Sequence, residues 1–148
     1  FANYAATDLL CYRAPEPPDL VSRQHAAWQP LLDWVEERWA AKLVATRSIT
    51  PITQAPEALA AIERAVARQG AMELAALHLA TAACGSVVLG LALLEERLDP
   101  DAAFDAAQLD ETYQMERWGE DAEQTRRRAA LKDDIHLAAR FLGLLRAD

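Results

Sequence analysis

The run from Leu74 to Leu94, LAALHLATAACGSVVLGLALL, decides the fold. Its 21 residues contain no Asp, Glu, Lys or Arg, a length that can cross a bilayer as a helix. Its composition argues otherwise. Ala, Thr, Ser and Gly are frequent, and His78 lies inside it. Glu73 and Glu95-Glu96 flank it, without the aromatic belt or basic flank of a membrane span. A helix apolar on every side is also what the middle of a globular helical domain contains. The run therefore predicts one central buried helix, from about Ala71 to Leu98, and no membrane insertion.

The remainder of the chain has to wrap that helix. At 148 residues it has the size of a single domain, long enough to bury a core without staples. A hydrophobic fraction of 52% and a charged fraction of 26% fit a packed interior under a polar surface. The net charge of −8 argues against a nucleic-acid partner or an anionic membrane, which both favour Lys and Arg patches. The basic residues are 13 Arg and only 2 Lys, and Ala is abundant, a bias common in GC-rich bacterial genomes. Cys11 and Cys84 lie far apart and form no close-spaced pair, which reads as a reducing compartment. The start at Phe1 carries no basic, apolar signal-peptide pattern, and its lack of Met reads as part of a longer protein.

Helix signals dominate on both sides of the central run. After Pro15-Glu-Pro-Pro18, Asp19 is a candidate cap, and Leu20, Val21, Trp28, Leu31, Leu32, Val35 and Trp39 recur on one side. Pro30 interrupts that stripe, so a kink or break is expected near Gln29. Lys42–Ile49 is rich in β-branched residues, has no helical stripe and precedes Thr50-Pro51, so it reads as a short extended segment. Pro56 opens another helix, with Leu59, Ile62 and Val66 on its apolar side and Gly70 at its end. Asp99-Pro100-Asp101 is a stop and restart, and the short helix behind it runs to about Gln108. Leu131, Ile135, Ala138, Leu142 and Leu145 recur at spacings of 4, 3, 4 and 3 along a final amphipathic helix. The expected fold is an all-α bundle of about six helices, one domain over residues 1–148, with at most one short extended segment.

Catalytic chemistry has little to stand on. The chain has no Gly-rich phosphate loop, no nucleophile elbow and no Cys-x-x-Cys. Cys84 lies in the apolar run, where a cysteine packs as a small hydrophobe. His25, His78 and His136 are isolated, and Asp133-Asp-Ile-His136 is a single, partial match to the paired Glu-x-x-His of di-iron bundles. No catalytic residue, metal ligand, cofactor or small-molecule substrate is therefore assigned. Two alternatives stay open: a metal-dependent helical bundle and a peripheral membrane protein using Leu74–Leu94.

Leu109–Glu123, LDETYQMERWGEDAE, is the unusual stretch. On a helix, Glu111, Gln114, Met115, Trp118 and Asp121 would fall within about a third of the circumference. A core face would be apolar there, and a solvent face has no need of a Trp. A plain reading remains: a solvated acidic face, part-neutralised by Arg126-Arg-Arg128, with Trp118 as a core anchor. A mixed face of this kind also suits a protein partner.

These residues resemble a known family, the ATP synthase assembly chaperones that bind the alpha subunit of the soluble catalytic sector. The block with Tyr113-Gln114 and Trp118-Gly119 among carboxylates is similar to one of its motifs. Thr7-Asp8-Leu-Leu-Cys11-Tyr12 is similar to its Thr-Asp-x-x-Cys-Tyr segment. Arg23-Gln24 and Trp28-Gln-Pro-Leu-Leu-Asp-Trp34 resemble its Arg-Gln and Trp-x-Pro-Leu-Leu-x-Trp. The order covers nearly the whole chain and matches the family's helical C-terminal domain, so the β-containing N-terminal domain would be absent here. Past Gly119 the chain leaves the pattern: the family's nearby His has no counterpart in Glu120-Asp-Ala-Glu123, and no role is carried to it.

The resemblance implies a non-enzymatic assembly chaperone that holds the free alpha subunit before it joins beta. It implies a cytoplasmic place in a bacterium, and the mitochondrial matrix for eukaryotic relatives. The residues expected to contribute to the partner contact are Glu111, Gln114, Trp118 and Asp121, with Asp110, Glu116 and Glu123 in the same acidic block.

Overall fold

The computed structural model describes residues 1–147, apart from the side chain of Ala2. Eight α-helices make up the described chain: α1 (Ala2–Ala6), α2 (Pro18–Trp39), α3 (Pro56–Ala67), α4 (Ala71–Cys84), α5 (Val87–Leu94), α6 (Pro100–Ala107), α7 (Leu109–Trp118) and α8 (Ala122–Arg146). A 3-10 turn at Leu9–Cys11 follows α1. The all-α reading holds, with more helices than the six expected.

The apolar run supplies the centre, as two helices rather than one. Gly85 adopts a left-handed conformation (φ +68°) and its N–H, with that of Ser86, returns to the Thr81 carbonyl at 2.9 and 3.3 Å. Ser86 then caps α5 by accepting from the Leu89 N–H at 3.0 Å. A glycine stop followed at once by a serine cap outweighs uniform hydrophobicity. Every residue of α5 is buried. Gly90 lets α4 approach closely: a Cβ there would sit 2.5 Å from the Thr81 hydroxyl.

Asp8 braces this elbow from outside the run. Fully buried, its carboxylate accepts from Ser86 Oγ at 2.7 Å, the Leu10 N–H at 3.0 Å and the Val88 N–H at 3.2 Å. The Thr7-Asp8 motif thereby ties the start of the chain to the first turn of α5.

The outer helices bury the stripes read from the sequence. α2 buries Trp28, Leu31, Leu32 and Val35, and the Trp28 indole N–H donates to the Ala106 carbonyl at 2.9 Å. Pro30 does not break α2. It lies on the exposed side, where water can satisfy the carbonyl that its missing N–H would have bonded. Asp19 is not the cap. Pro17 takes that position and Pro18 the first helical one, which leaves the Asp19 carboxylate available for α7. α8 buries Ile135, Ala138 and Leu142 against α4 and α6.

The Lys42–Ile49 segment forms no strand, and its end bends at Ser48 and Ile49. Thr46 makes one parallel bridge to Tyr12, through Arg13 N–H to Thr46 carbonyl and Thr46 N–H to Cys11 carbonyl, both 2.8 Å. Gln54 stands in for a neighbouring strand: its side-chain amide accepts from the Val44 N–H and donates to the Val44 carbonyl, both at 2.9 Å.

Candidate functional site

α7 carries the mixed block, and it rests on α2 through polar groups. Asp110 accepts from Gln24 Nε2 at 2.7 Å, and Gln24 Oε1 accepts from the Ala14 N–H at 2.8 Å. Gln24 is 1% exposed, a polar residue at a core position of α2. Nearly two turns further along α7, Arg23 donates twice to Glu116, at 3.1 and 2.9 Å. The Arg23-Gln24 pair of α2 therefore grips the Asp110…Glu116 edge of α7, joining two motifs that lie 86 residues apart at Gln24 and Asp110.

Tyr113 fills the middle of this seam. Its hydroxyl donates to Asp19 Oδ1 at 2.8 Å, and Arg117 reaches Asp19 Oδ2 at 3.2 Å. Both guanidinium groups lie over the Tyr113 ring, Arg117 at 4.7 Å and Arg23 at 5.3 Å from its centroid. The charges answer one another. The Tyr113 hydroxyl holds the Asp19 carboxyl below the ordinary range, and Arg23 does the same for Glu116. The Tyr113 phenol is pushed up, first by desolvation and then by Asp19.

The other side of α7 faces outward. Advancing about 100° per residue, Gln114, Trp118 and Glu111 fall within about 60° of arc, opposite the Glu116–Tyr113 edge. Gln114 is exposed, Trp118 is 84% exposed, and Glu111 is half-buried, with one carboxylate oxygen buried and lacking a donor among the described residues. Trp118 is thus no core anchor. A pit of about 330 Å³, lined by Thr112, Met115, Glu116, Glu120 and Arg128, opens on this part of the molecule.

Asp121 does not share this face. α7 ends at Trp118 because Gly119 turns to φ +87°, and Asp121 instead caps α8, accepting from the Glu123 N–H at 3.0 Å. Glu123 belongs to the first turn of α8, 4.0 Å from Arg127. The seven residues of the block thus divide three ways. Asp110 and Glu116 form the α2 seam, Gln114 and Trp118 face outward with half-buried Glu111 beside them, and Asp121 and Glu123 open the next helix.

Asp19, Arg23, Tyr113 and Arg117 do not stand out in the sequence as site residues, although they join α7 to α2. One signal was present in the sequence: Gln24 is polar on the stripe that carries Trp28, Leu31 and Val35. A buried amide needs partners from another element.

Other chemistry-bearing groups lie elsewhere. Burial pushes the Cys11 and Cys84 thiols up to about 12, which makes both poor nucleophiles at neutral pH. His136 meets Asp101 at 2.9 Å rather than the Asp133 of its own helix. Among the described residues no three His, Cys, Asp or Glu side chains are grouped to hold a metal ion. A cleft of about 790 Å³ between the α5–α6 connection and the end of α8 is lined by Leu93, Leu98, His136 and Arg140, with Glu96 already paired to Arg146. No helix of the described chain is long and apolar enough to cross a membrane.

Known proteins share this arrangement. The model for the ATP12 chaperone protein family matches residues 1–36. The crystal structure of Atp12 from Paracoccus denitrificans superposes with a TM-score of 0.93 at 36% identity, covering 97% of this chain and 61% of that one. A mutant of the same Paracoccus protein matches with the same values. The Atu1473 protein from Agrobacterium tumefaciens has a TM-score of 0.91 at 38% identity, over 97% of this chain and 54% of that one. The chain thus spans only a little over half the length of the proteins it matches.

Proposed function

We infer a function from one premise: the chain belongs to the ATP12 chaperone family. Our proposal is that it acts in assembly of the ATP synthase, as the helical domain that holds the free alpha subunit before it joins beta. The observation that carries the reading to particular residues is the construction of α7. Its inner edge is fixed to α2 by Gln24–Asp110 and Arg23–Glu116, while Gln114 and Trp118 are held out to solvent beside Glu111.

The physical task fits that construction. A subunit destined for a ring exposes interface patches that aggregate while unpaired. A holder must cover such a patch and still be displaced. One exposed indole on a helix seated through polar contacts gives an anchor of moderate strength, because most of an interface's energy rests on a few aromatic and Arg residues. Carboxylates around it set orientation and encounter rate more than affinity. The reading asks no catalysis of the chain.

Glu111 and Trp118 are the residues placed at the contact, with Gln114 between them. Asp110 and Glu116 act indirectly by seating α7, and Asp121 and Glu123 contribute through the neighbouring turn. The test is co-purification of the alpha subunit with this chain and with its Glu111→Lys variant, folding being checked by circular dichroism. Retained helicity with capture reduced about tenfold is the expected result, the scale of one reversed interfacial charge. Undiminished capture by folded Glu111→Lys would remove Glu111 from the contact.

A further inference from the structure

Trp118 is the most exposed aromatic residue among those described, at 84%. Cations elsewhere in the molecule find rings: Arg23 and Arg117 lie over Tyr113, and Arg128 and Lys132 over Phe104. Among the described residues none lies over Trp118. Arg117, its neighbour in sequence, is turned away to Asp19, and Arg128 is held by Gln108 and Thr112.

Hydrogen-bond acceptors gather at the same helix end. The Gly119 N–H returns to Met115, and the carbonyls of Glu116, Arg117 and Trp118 accept no backbone N–H among the described residues. These carbonyls form the negative end of the α7 dipole. Glu120 and Asp121 follow directly, both exposed and without an ion pair among the described residues. Arg126 and Arg127 stand more than a turn along α8, Arg127 within 4.0 Å of Glu123. The end of α7 therefore offers an unoccupied π face with acceptors beside it and no cationic side chain over it.

We propose that Trp118 receives an arginine side chain of the protein partner. The guanidinium stacks on the indole, and its edge N–H groups are directed at the α7 carbonyls and the Glu120 and Asp121 carboxylates. Arginine suits this better than lysine: it is planar, weakly hydrated and presents donors in the plane of the stack. The proposal rests on the reading of α7 as the partner-holding face, and it names the chemistry that face selects.

Two measurements test it and separate it from that reading. The first is alpha-subunit affinity for Trp118→Phe and Trp118→Leu. Both substitutions fall on an exposed position and leave the core untouched. A stacked cation predicts that the Phe variant stays within about threefold of wild type, while the Leu variant loses about tenfold. Equal losses in the two variants, or none in the Leu variant, would overturn the arginine assignment while the chaperone reading stands. The second follows the indole N–H resonances of the isolated chain during titration with N-acetylarginine amide and with its neutral citrulline analogue. The Trp118 signal, identified by its absence from Trp118→Phe, is expected to move with the arginine compound alone. A response to both compounds or to neither overturns the inference. If wild-type chain captures no alpha subunit at all, the partner reading fails, and the titration still decides the chemistry of Trp118.

Discussion

Asp8 keeps a carboxylate where no solvent reaches it, and that has a measurable consequence. Burial pushes its pKa from the ordinary 3.8 to about 6, against the lowering effect of its bonds to Ser86, Leu10 and Val88. A carboxyl whose folded pKa is raised binds its proton more tightly folded than unfolded. Its contribution to stability is therefore complete below pH 4 and is lost as the pH rises through 6, a change worth about 3 kcal/mol. Asp8→Asn should flatten that component of the stability profile between pH 4 and 6, measured by urea unfolding at several pH values. An unchanged slope would mean that Asp8 titrates near its ordinary value. At pH 7 Asp8→Ala should cost about 2–4 kcal/mol, because three buried donors lose their acceptor, and the cost should grow as the pH falls toward 4. Trp118 gives the opposite case: Trp118→Ala should move the melting temperature by no more than about 2 °C, since an exposed side chain has little packing to lose. A large fall would return Trp118 to the core role that its exposure denies. The sequence marks Trp118 as unusual and Asp8 only as part of a motif, and it leaves both places open, because an aspartate and a tryptophan on a mixed helix each have two ordinary destinations.

At the scale of elements, periodicity was the reliable signal and punctuation the ambiguous one. The Trp28–Val35 stripe of α2 and the Ile135, Ala138 and Leu142 stripe of α8 are buried as read, because a 3.6-residue period has only one way to face a core. Pro30 and Gly85 pulled the other way. A proline at an exposed position left α2 whole, and a glycine in an unbroken apolar run divided α4 from α5. Neither outcome follows from residue type alone, since each depends on which side of the helix meets water. The glycines make this testable. Gly85 has a left-handed backbone, so Gly85→Ala should destabilise by about 1 kcal/mol although no atom crowds the new methyl. Gly143 lies inside α8, exposed, with open space at its Cβ and no positive φ, so Gly143→Ala should stabilise by about 0.5–1 kcal/mol. Chemical denaturation of the pair gives both signs in one experiment, and equal signs would contradict the backbone assignments.

Across the whole molecule, the helices are attached in two different ways. α5 is buried on all sides in a continuous apolar core that also takes in α2, α3, α4, α6 and α8. α7 contributes only half-buried Leu109 to that core, and its one buried side chain, Tyr113, packs in the polar seam with Arg23, Asp19 and Arg117. Exposed ion pairs of the Arg23–Glu116 kind contribute little each, because water screens them and ordering two long side chains costs entropy. Gln24 is the buried element of the seam, and it links the Ala14 backbone to Asp110. The face proposed to meet the partner thus sits on a helix held mainly through polar contacts, which suits a holder that must release its client. Native-state hydrogen exchange should find the α7 amides opening at a lower free energy than those of α5. Gln24→Ala should widen that gap: it strands the half-buried Ala14 N–H and releases Asp110, at a local cost of about 1–3 kcal/mol. The α7 amides should then exchange faster by one to two orders of magnitude, with α5 protection reduced far less. If α5 and α7 lose protection equally, α7 opens only with global unfolding. The seam would then be a structural joint, and capture of the alpha subunit by Gln24→Ala would fall only in step with the folded fraction.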